Sequence, residues 1–271
     1  MQEKKPPGTA LITGASSGIG EALAGRFAGA GFNVVLVARS ADKLRSLATT
    51  LARQHGIQAW AVAADLAQAG TAQQLADRMK RARRPIDLLV NCAGVLEHGP
   101  FVDMPPQRHR ELIALNVSAL SDMLAVFVPP MVQRGHGRVL NVASIAAFQP
   151  VPMLATYAAT KAFVLSLTES LAEELHGSGV TVTALCPGIT ATAMLDKAQR
   201  SGTGLGALPA FVVGDVGKVA DEGFDACMRG KVICVPGALN LAATLAARAA
   251  PRWLVRRVGG TVARKLTPPG S

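Results

Sequence analysis

Seven short apolar runs punctuate the chain, and longer segments of helical period separate them. The runs are TALITG, NVVLVA, QAWAVA, IDLLVN, GRVLNVA, VTVTALC and KVICVP, beginning at Thr9, Asn33, Gln58, Ile86, Gly137, Val180 and Lys231. Val, Ile and Leu fall on both faces of these runs, which suits strands of a parallel sheet covered on each side. Between them, segments such as ADKLRSLATTLARQH and TYAATKAFVLSLTESLAEEL carry the spacing of helices. Asp42 is expected as an N-cap, and Gly31 and Gly56 as helix stops. The repeated strand-then-helix order predicts a doubly wound α/β fold. Residues 1–237 form one domain on this reading, with a loop over the substrate at about 189–214. Residues 238–271 form a basic, helical C-terminal tail.

Composition narrows the classes of function. At 49% hydrophobic and 17% charged, the chain is far from a disordered one. The opening MQEKKPPGTA lacks the apolar stretch of a secretory signal, and no run is read as a membrane span. Cys92, Cys186, Cys227 and Cys234 are scattered, outside any zinc-ligand spacing. No metal is therefore expected, and free thiols point to the cytoplasm. The net charge of +10 is uneven: eight basic residues and no acid occur from Ala226 onward, and the rest is nearly balanced. The body is thus no nucleic-acid binder by charge.

The first strand runs into TGASSGIGEALA, with Gly14, Gly18 and Gly20 in a tight strand-to-helix turn. Such a turn brings backbone N–H groups and a helix N-terminus to a phosphate, and Ser16 and Ser17 add hydroxyl donors. An unliganded βα turn would look the same in isolation; its place after the first strand favours phosphate binding. At the end of the second strand no acid occurs from Asn33 to Ala41, and Arg39 and Lys43 stand there instead. A cation at this position suits the 2′-phosphate of NADP(H) over the bare ribose of NAD(H).

Tyr157, the only tyrosine, lies four residues before Lys161 on a helical stretch, so the two share a face. An ammonium beside a phenol favours the phenolate and is expected to lower its pKa, so that the pair can exchange a proton with a substrate oxygen. Ser144, just past a strand end, can hydrogen-bond that same oxygen. A Tyr-x-x-x-Lys pair alone is weak, being also an ordinary surface pair; its position in a dinucleotide-type fold gives it weight.

Over Thr9 to Pro236 the sequence resembles the short-chain dehydrogenase/reductase superfamily, which implies a Rossmann-type sheet. TGASSGIG at 13–20 resembles the family's cofactor loop, implying contacts from Gly14, Ser16, Ser17, Gly18, Ile19 and Gly20. Asp65 and Leu66 resemble its adenine contact, and Asn91, Ala93 and Gly94 of NCAG its fourth-strand motif. Asn116, Ser144, Tyr157 and Lys161 match its catalytic tetrad. PGITAT resembles its nicotinamide-side segment, implying Pro187, Gly188, Ile189 and Thr192. Cys92 stands where the family's usual motif has a second asparagine; it is expected to support the scaffold with little loss. Some NADP-dependent members carry a basic residue where this chain has Ser17, so the cofactor choice leans on Arg39.

The resemblance implies NADPH-dependent reduction of a ketone or aldehyde. Tyr157 would supply the proton, and Lys161 would tune Tyr157 and bind the nicotinamide ribose. Ser144 would polarise the carbonyl, and Asn116 would hold a water of a proton relay. On spacing alone, a polar residue capping or kinking its helix is the better reading of Asn116. The rival function is a catalytically idle NADP(H)-sensing or scaffold protein, whose mark would be a broken tetrad; here the tetrad is intact. Phe148, Val151, Met153, Leu154, Met194 and Leu195 read either as an apolar pocket or as core packing. The pocket reading implies a hydrophobic carbonyl or alcohol substrate, 3-oxoacyl or steroid-like. The family implies a homodimer or homotetramer.

The tail lies outside the resemblance. Pro251 is expected to open a short helix, PRWLVRRV, with Leu254, Val255 and Val258 on one side and Arg252, Arg256 and Arg257 on the other. Two readings stand: a helix docked on the body or a partner subunit, or a peripheral contact with anionic membrane.

Overall fold

The computed structural model describes residues 8–190 and 214–266. Seven parallel strands form one sheet: β1 (Thr9–Thr13), β2 (Asn33–Ala38), β3 (Ala59–Ala63), β4 (Leu88–Asn91), β5 (Gly137–Val142), β6 (Val180–Leu185) and β7 (Ile233–Cys234). Their order is β3-β2-β1-β4-β5-β6-β7. All seven expected runs are strands, although β7 is only two residues long and half-buried at the sheet edge.

The chain leaves β1 in one direction and crosses back to β4 on its other side. The carboxyl ends of β1 and β4 therefore splay connections to opposite sides and open a crevice between them. Ala10↔Leu88 and Leu11↔Leu89 set the register across that junction.

The helices are α1 (Gly18–Gly29), α2 (Ala41–His55), α3 (Thr71–Arg81), α4 (Pro106–Ile113), α5 (Ala119–Arg134), α6 (Ala155–Glu174), α7 (Val216–Met228), α8 (Ala238–Ala249) and α9 (Arg252–Leu266). Two apolar cores result, one on each face of the sheet. Leu23, Phe27, Leu44 and Phe224 of α1, α2 and α7 fill one; Leu75, Met123, Phe127 and Val164 of α3, α5 and α6 fill the other. Phe27 meets Phe32 and Phe224 edge-on at 5.6 and 5.0 Å. Burying such a ring is worth about 1.5–3 kcal/mol.

Local signals were partly reassigned by the fold. Gly56 ends α2 in a left-handed conformation, φ +65°, as expected. Gly31, also at positive φ, follows the end of α1. Asp42 is not the cap of α2: Ser40 holds that position and Asp42 lies in the first turn, paired with Arg45. Helix α4 continues through a π-helical turn, Ala114–Ser118, into α5. The whole stretch, Pro106–Arg134, is long and apolar enough by length and composition to cross a membrane. Its apolar residues Leu112, Met123 and Met131 are instead sealed inside the protein, the pattern of a core helix. Pro251 precedes α9 rather than opening it, and α9 runs on to Leu266.

Candidate active site

At the mouth of the β1–β4 crevice, Thr13 staples the two strands. Its hydroxyl accepts from the backbone N–H of Cys92 and of Ala93, both at 3.0 Å, and donates to the Val90 carbonyl at 3.2 Å. The chain then turns through Gly14 at φ +67°, where a Cβ would lie 2.9 Å from the backbone of Cys92 and Ala93. A Cβ on Gly20 would stand 2.3 Å from the Gly14 carbonyl oxygen, so α1 can start this close to the strand only with glycine there. Ser17 occupies the N-cap of α1 without spending its hydroxyl on the helix.

Beside this turn lies a cavity of about 620 Å³. Gly14, Ser16, Ser17, Gly18, Ile19 and Gly20 line one end of it, with Arg39, Asp65 and Leu66. Ala93, Gly94, Ser144, Tyr157, Lys161, Pro187, Gly188 and Ile189 line the rest. A glycine cradle that side chains would fill, a helix N-terminus and a cation beyond β2 fit a dinucleotide phosphate, so these residues suit a nicotinamide cofactor.

The structure places other expected residues elsewhere. Thr192, Met194, Leu195 and most of the loop 189–214 lie outside the described residues. Lys43 is exposed in the first turn of α2 and is not part of the cavity wall. Asn91 faces along the sheet, donating from Nδ2 to Asn141 Oδ1 at 2.9 Å, and Asn141 in turn donates to Thr168 Oγ1 at 3.0 Å. Of the suggested pocket residues, Val151 and Leu154 line the cavity. Phe148 packs against the core instead, with Arg248 5.8 Å from its ring, and Met153 uses its carbonyl to accept from Gly99 N–H at 2.9 Å.

Asn116 sits in the π turn, one residue removed from ordinary helical register. Its Nδ2 donates to the Val95 carbonyl at 2.9 Å and to Thr160 Oγ1 at 3.1 Å, while Oδ1 accepts from Val95 N–H at 2.9 Å. It thereby ties the segment after β4 to α6. It stands just behind Gly94, where a Cβ would lie 3.2 Å from Asn116 Oδ1 and 3.6 Å from Lys161 Nζ.

Ser144 follows β5 in extended backbone and caps the short turn Ile145–Phe148, its Oγ accepting from Ala146 N–H at 3.1 Å. Ile145 N–H donates to the Pro187 carbonyl at 3.0 Å, which locks the strand end to the segment after β6. One turn into α6, Tyr157 faces the same cavity. Lys161 is buried and donates from Nζ to the Val142 carbonyl at 2.9 Å, 5.7 Å from the centre of the Tyr157 ring.

Burial reverses the direction expected for Tyr157. Loss of hydration pushes the phenol up to about 12; hydrogen bonding to Ser144 pulls it only partway back. The same desolvation brings Lys161 down to about 8, partly offset by the Cys92 and Cys186 thiols. Cys92 packs against the core below α1, as a scaffold residue does, and it also lines the cavity; burial drives its thiol up to about 12 against the pull of Lys161.

Sequence reasoning missed several wall residues. Ser40 beside Arg39, and Val95 and Leu96 after Gly94, carry no motif of their own. Asn240 of α8 packs on the nicotinamide-side segment: a Cβ on Gly188 would lie 2.6 Å from its side-chain amide. Only spatial closeness reveals that contact.

Residues 8–202 match the family described as short chain dehydrogenase. A short chain dehydrogenase of Pseudocercospora fijiensis is 36% identical over 182 residues, which are 66% of this chain and 59% of that protein. Among solved structures, a short-chain dehydrogenase from Sphingobium yanoikuyae in complex with NADPH is 36% identical, with a TM-score of 0.79 over 89% of this chain and 93% of that one. The bulky-bulky ketone specific alcohol dehydrogenase from Comamonas testosteroni is 32% identical, with a TM-score of 0.76 over 90% and 93%. With the seven-stranded parallel sheet and the glycine cradle, these matches make the chain a member of the short-chain dehydrogenase family, an NAD(P)-dependent oxidoreductase.

Proposed function

We propose that the chain reduces a bulky, apolar ketone or aldehyde with NADPH, releasing the alcohol. The observation that carries this reading is that Ser144, Tyr157 and Lys161 share one cavity with the glycine turn. The cofactor would supply the hydride. Ser144 Oγ is placed to donate to the carbonyl oxygen and to steady the charge that grows there. Tyr157 gives that oxygen its proton. A phenol held at about 12 stays protonated at neutral pH, the state that reduction needs, whereas alcohol oxidation would need the phenolate. Lys161 presents a buried ammonium beside Tyr157 and the Gly94 backbone, where it can bind a ribose hydroxyl. Asn116 holds the backbone of Val95 and the start of that wall in place.

Arg39 supports NADPH over NADH, because an exposed guanidinium at the cavity edge matches a 2′-phosphate. Val95, Leu96, Val151 and Leu154 support an apolar substrate of the 3-oxoacyl or steroid-like kind. The ketone specificity named for the Comamonas testosteroni relative points the same way. The free thiols, with Cys186 and Cys227 buried, suit a reducing cytoplasm.

The test is a panel of ketones, aldehydes and 3-oxoacyl thioesters followed by nicotinamide absorbance, with NADPH and NADH compared. Tyr157→Phe is expected to cut turnover of the best substrate by about 10²–10⁴-fold while NADPH still binds. Undiminished turnover by that variant defeats the mechanism.

A further inference from the structure

Helix α8 is built the wrong way round for a helix in contact with water. The side it turns to the body is polar: Asn240 packs on Gly188, and Thr244, 6% exposed, donates to the Asn240 carbonyl at 2.8 Å. The side it turns outward carries Leu239, Leu241 and Leu245, at 73%, 45% and 57% exposure, among exposed alanines. A surface helix of a soluble protein ordinarily buries its leucines and shows its polar side. Helix α9 continues the pattern. Gly259 lies 3.6 Å, by a Cβ built on it, from Pro150 and Pro152, while Trp253, Leu254 and Val258 stay exposed.

Cations frame these apolar groups. Arg248, Arg252, Arg256 and Arg257 are exposed and form no ion pair among the described residues, and no acid occurs in the chain after Asp225. Arg257 leans on Trp253, 5.8 Å from the ring centre. Leucines, a tryptophan and unpaired arginines on adjoining helices match an anionic lipid surface: apolar groups enter the acyl boundary and guanidinium groups meet phosphates. A second copy of the chain fits less well, because a two-fold contact would bring together two copies of one patch that carries cations and no acid.

The patch also adjoins the cavity. The Pro150 and Pro152 that receive α9 alternate with Val151, and Val151 and Leu154 line the cavity wall. Met153, between them, holds Gly99, which leads to Phe101 and Val102 at 62% and 88% exposure. We propose that α8 and α9 dock the protein on an anionic bilayer and that the cavity takes its apolar carbonyl substrate from that bilayer. The second half rests on the reductase reading; the first does not.

The full chain is mixed with phosphatidylcholine vesicles, with or without phosphatidylglycerol, and sedimented. It is expected to follow the phosphatidylglycerol vesicles and leave the neutral ones. Two double variants are compared, Leu239→Ser with Leu245→Ser, and Arg252→Glu with Arg256→Glu. Each is expected to weaken vesicle binding about tenfold or more. Reduction of a water-soluble ketone is expected to be unchanged, while reduction of a vesicle-dissolved ketone falls. Indifference to phosphatidylglycerol, or full binding by both variants, overturns the proposal. So does a halved solution mass in the leucine variant without vesicle binding by the parent, which would make the patch a subunit contact. Vesicle binding without turnover of any carbonyl overturns the substrate half and the reductase reading together, and leaves the docking surface standing.

Discussion

Tyr157 is the only tyrosine in the chain, so its ionisation can be followed without interference. With the phenol held at about 12, free enzyme at pH 10 is expected to show little phenolate absorbance, where an ordinary tyrosine would be half ionised. A titration centred at pH 8–9 would contradict the burial that raises it. Lys161 adds a second alkaline signature. Its pKa is about 8 in the fold against an ordinary 10.5, so between those values the unfolded chain binds more protons. Lys161 therefore makes stability rise with pH from about 8 to 9. Above that its contribution is outweighed, because the four thiols, raised by burial to about 11 to 12, and from about 10 Tyr157 as well, keep protons that the unfolded chain releases. Denaturant unfolding of Lys161→Met should lose the rise and keep the fall. The pairing of these two residues was legible because four-residue spacing fixes a shared helix face. The direction of their pKa shifts was not, because it is set by how deeply the fold buries them, and that depends on residues distant in sequence.

At the scale of elements, the strands were legible because runs such as LITG and VVLVA are apolar on both faces, and only a covered parallel sheet accommodates that. What the runs hide is the polar line through the sheet. Asn91, Asn141 and Thr168 link β4, β5 and α6, and Thr168 passes the chain on to the Val164 carbonyl at 2.7 Å. Thr168→Val leaves the Asn141 amide unpaired in the interior. Chemical denaturation should show a loss of about 1–3 kcal/mol, with NADPH binding retained. A loss within error would mean that the amide finds another partner. Helix α8 illustrates the opposite limit. A helical wheel separates Asn240 and Thr244 from Leu239 and Leu245, but which side meets the body is decided by Gly188, more than fifty residues earlier.

For the molecule as a whole, body and tail differ in charge and in how they are held. Both cores are made of residues before the tail, so deleting residues 238–271 should leave the sheet folded. The deletion does strip Asn240 from Gly188, and with it the backing of the segment that walls the cavity. Thermal melting should show a modest change for the free protein and a smaller upward shift on adding NADPH than the full chain gives. An equal shift in both proteins would place Asn240 outside the cofactor's support. The chain's two tryptophans mark the opposite extremes of this architecture: Trp60 lies on edge strand β3, 3.3 Å beneath the Arg84 guanidinium, and Trp253 stands open on α9. Fluorescence from the first should be indifferent to events at the far end. The second should shift to the blue whenever something oily covers it, so the protein is its own optical probe of which surface it is touching.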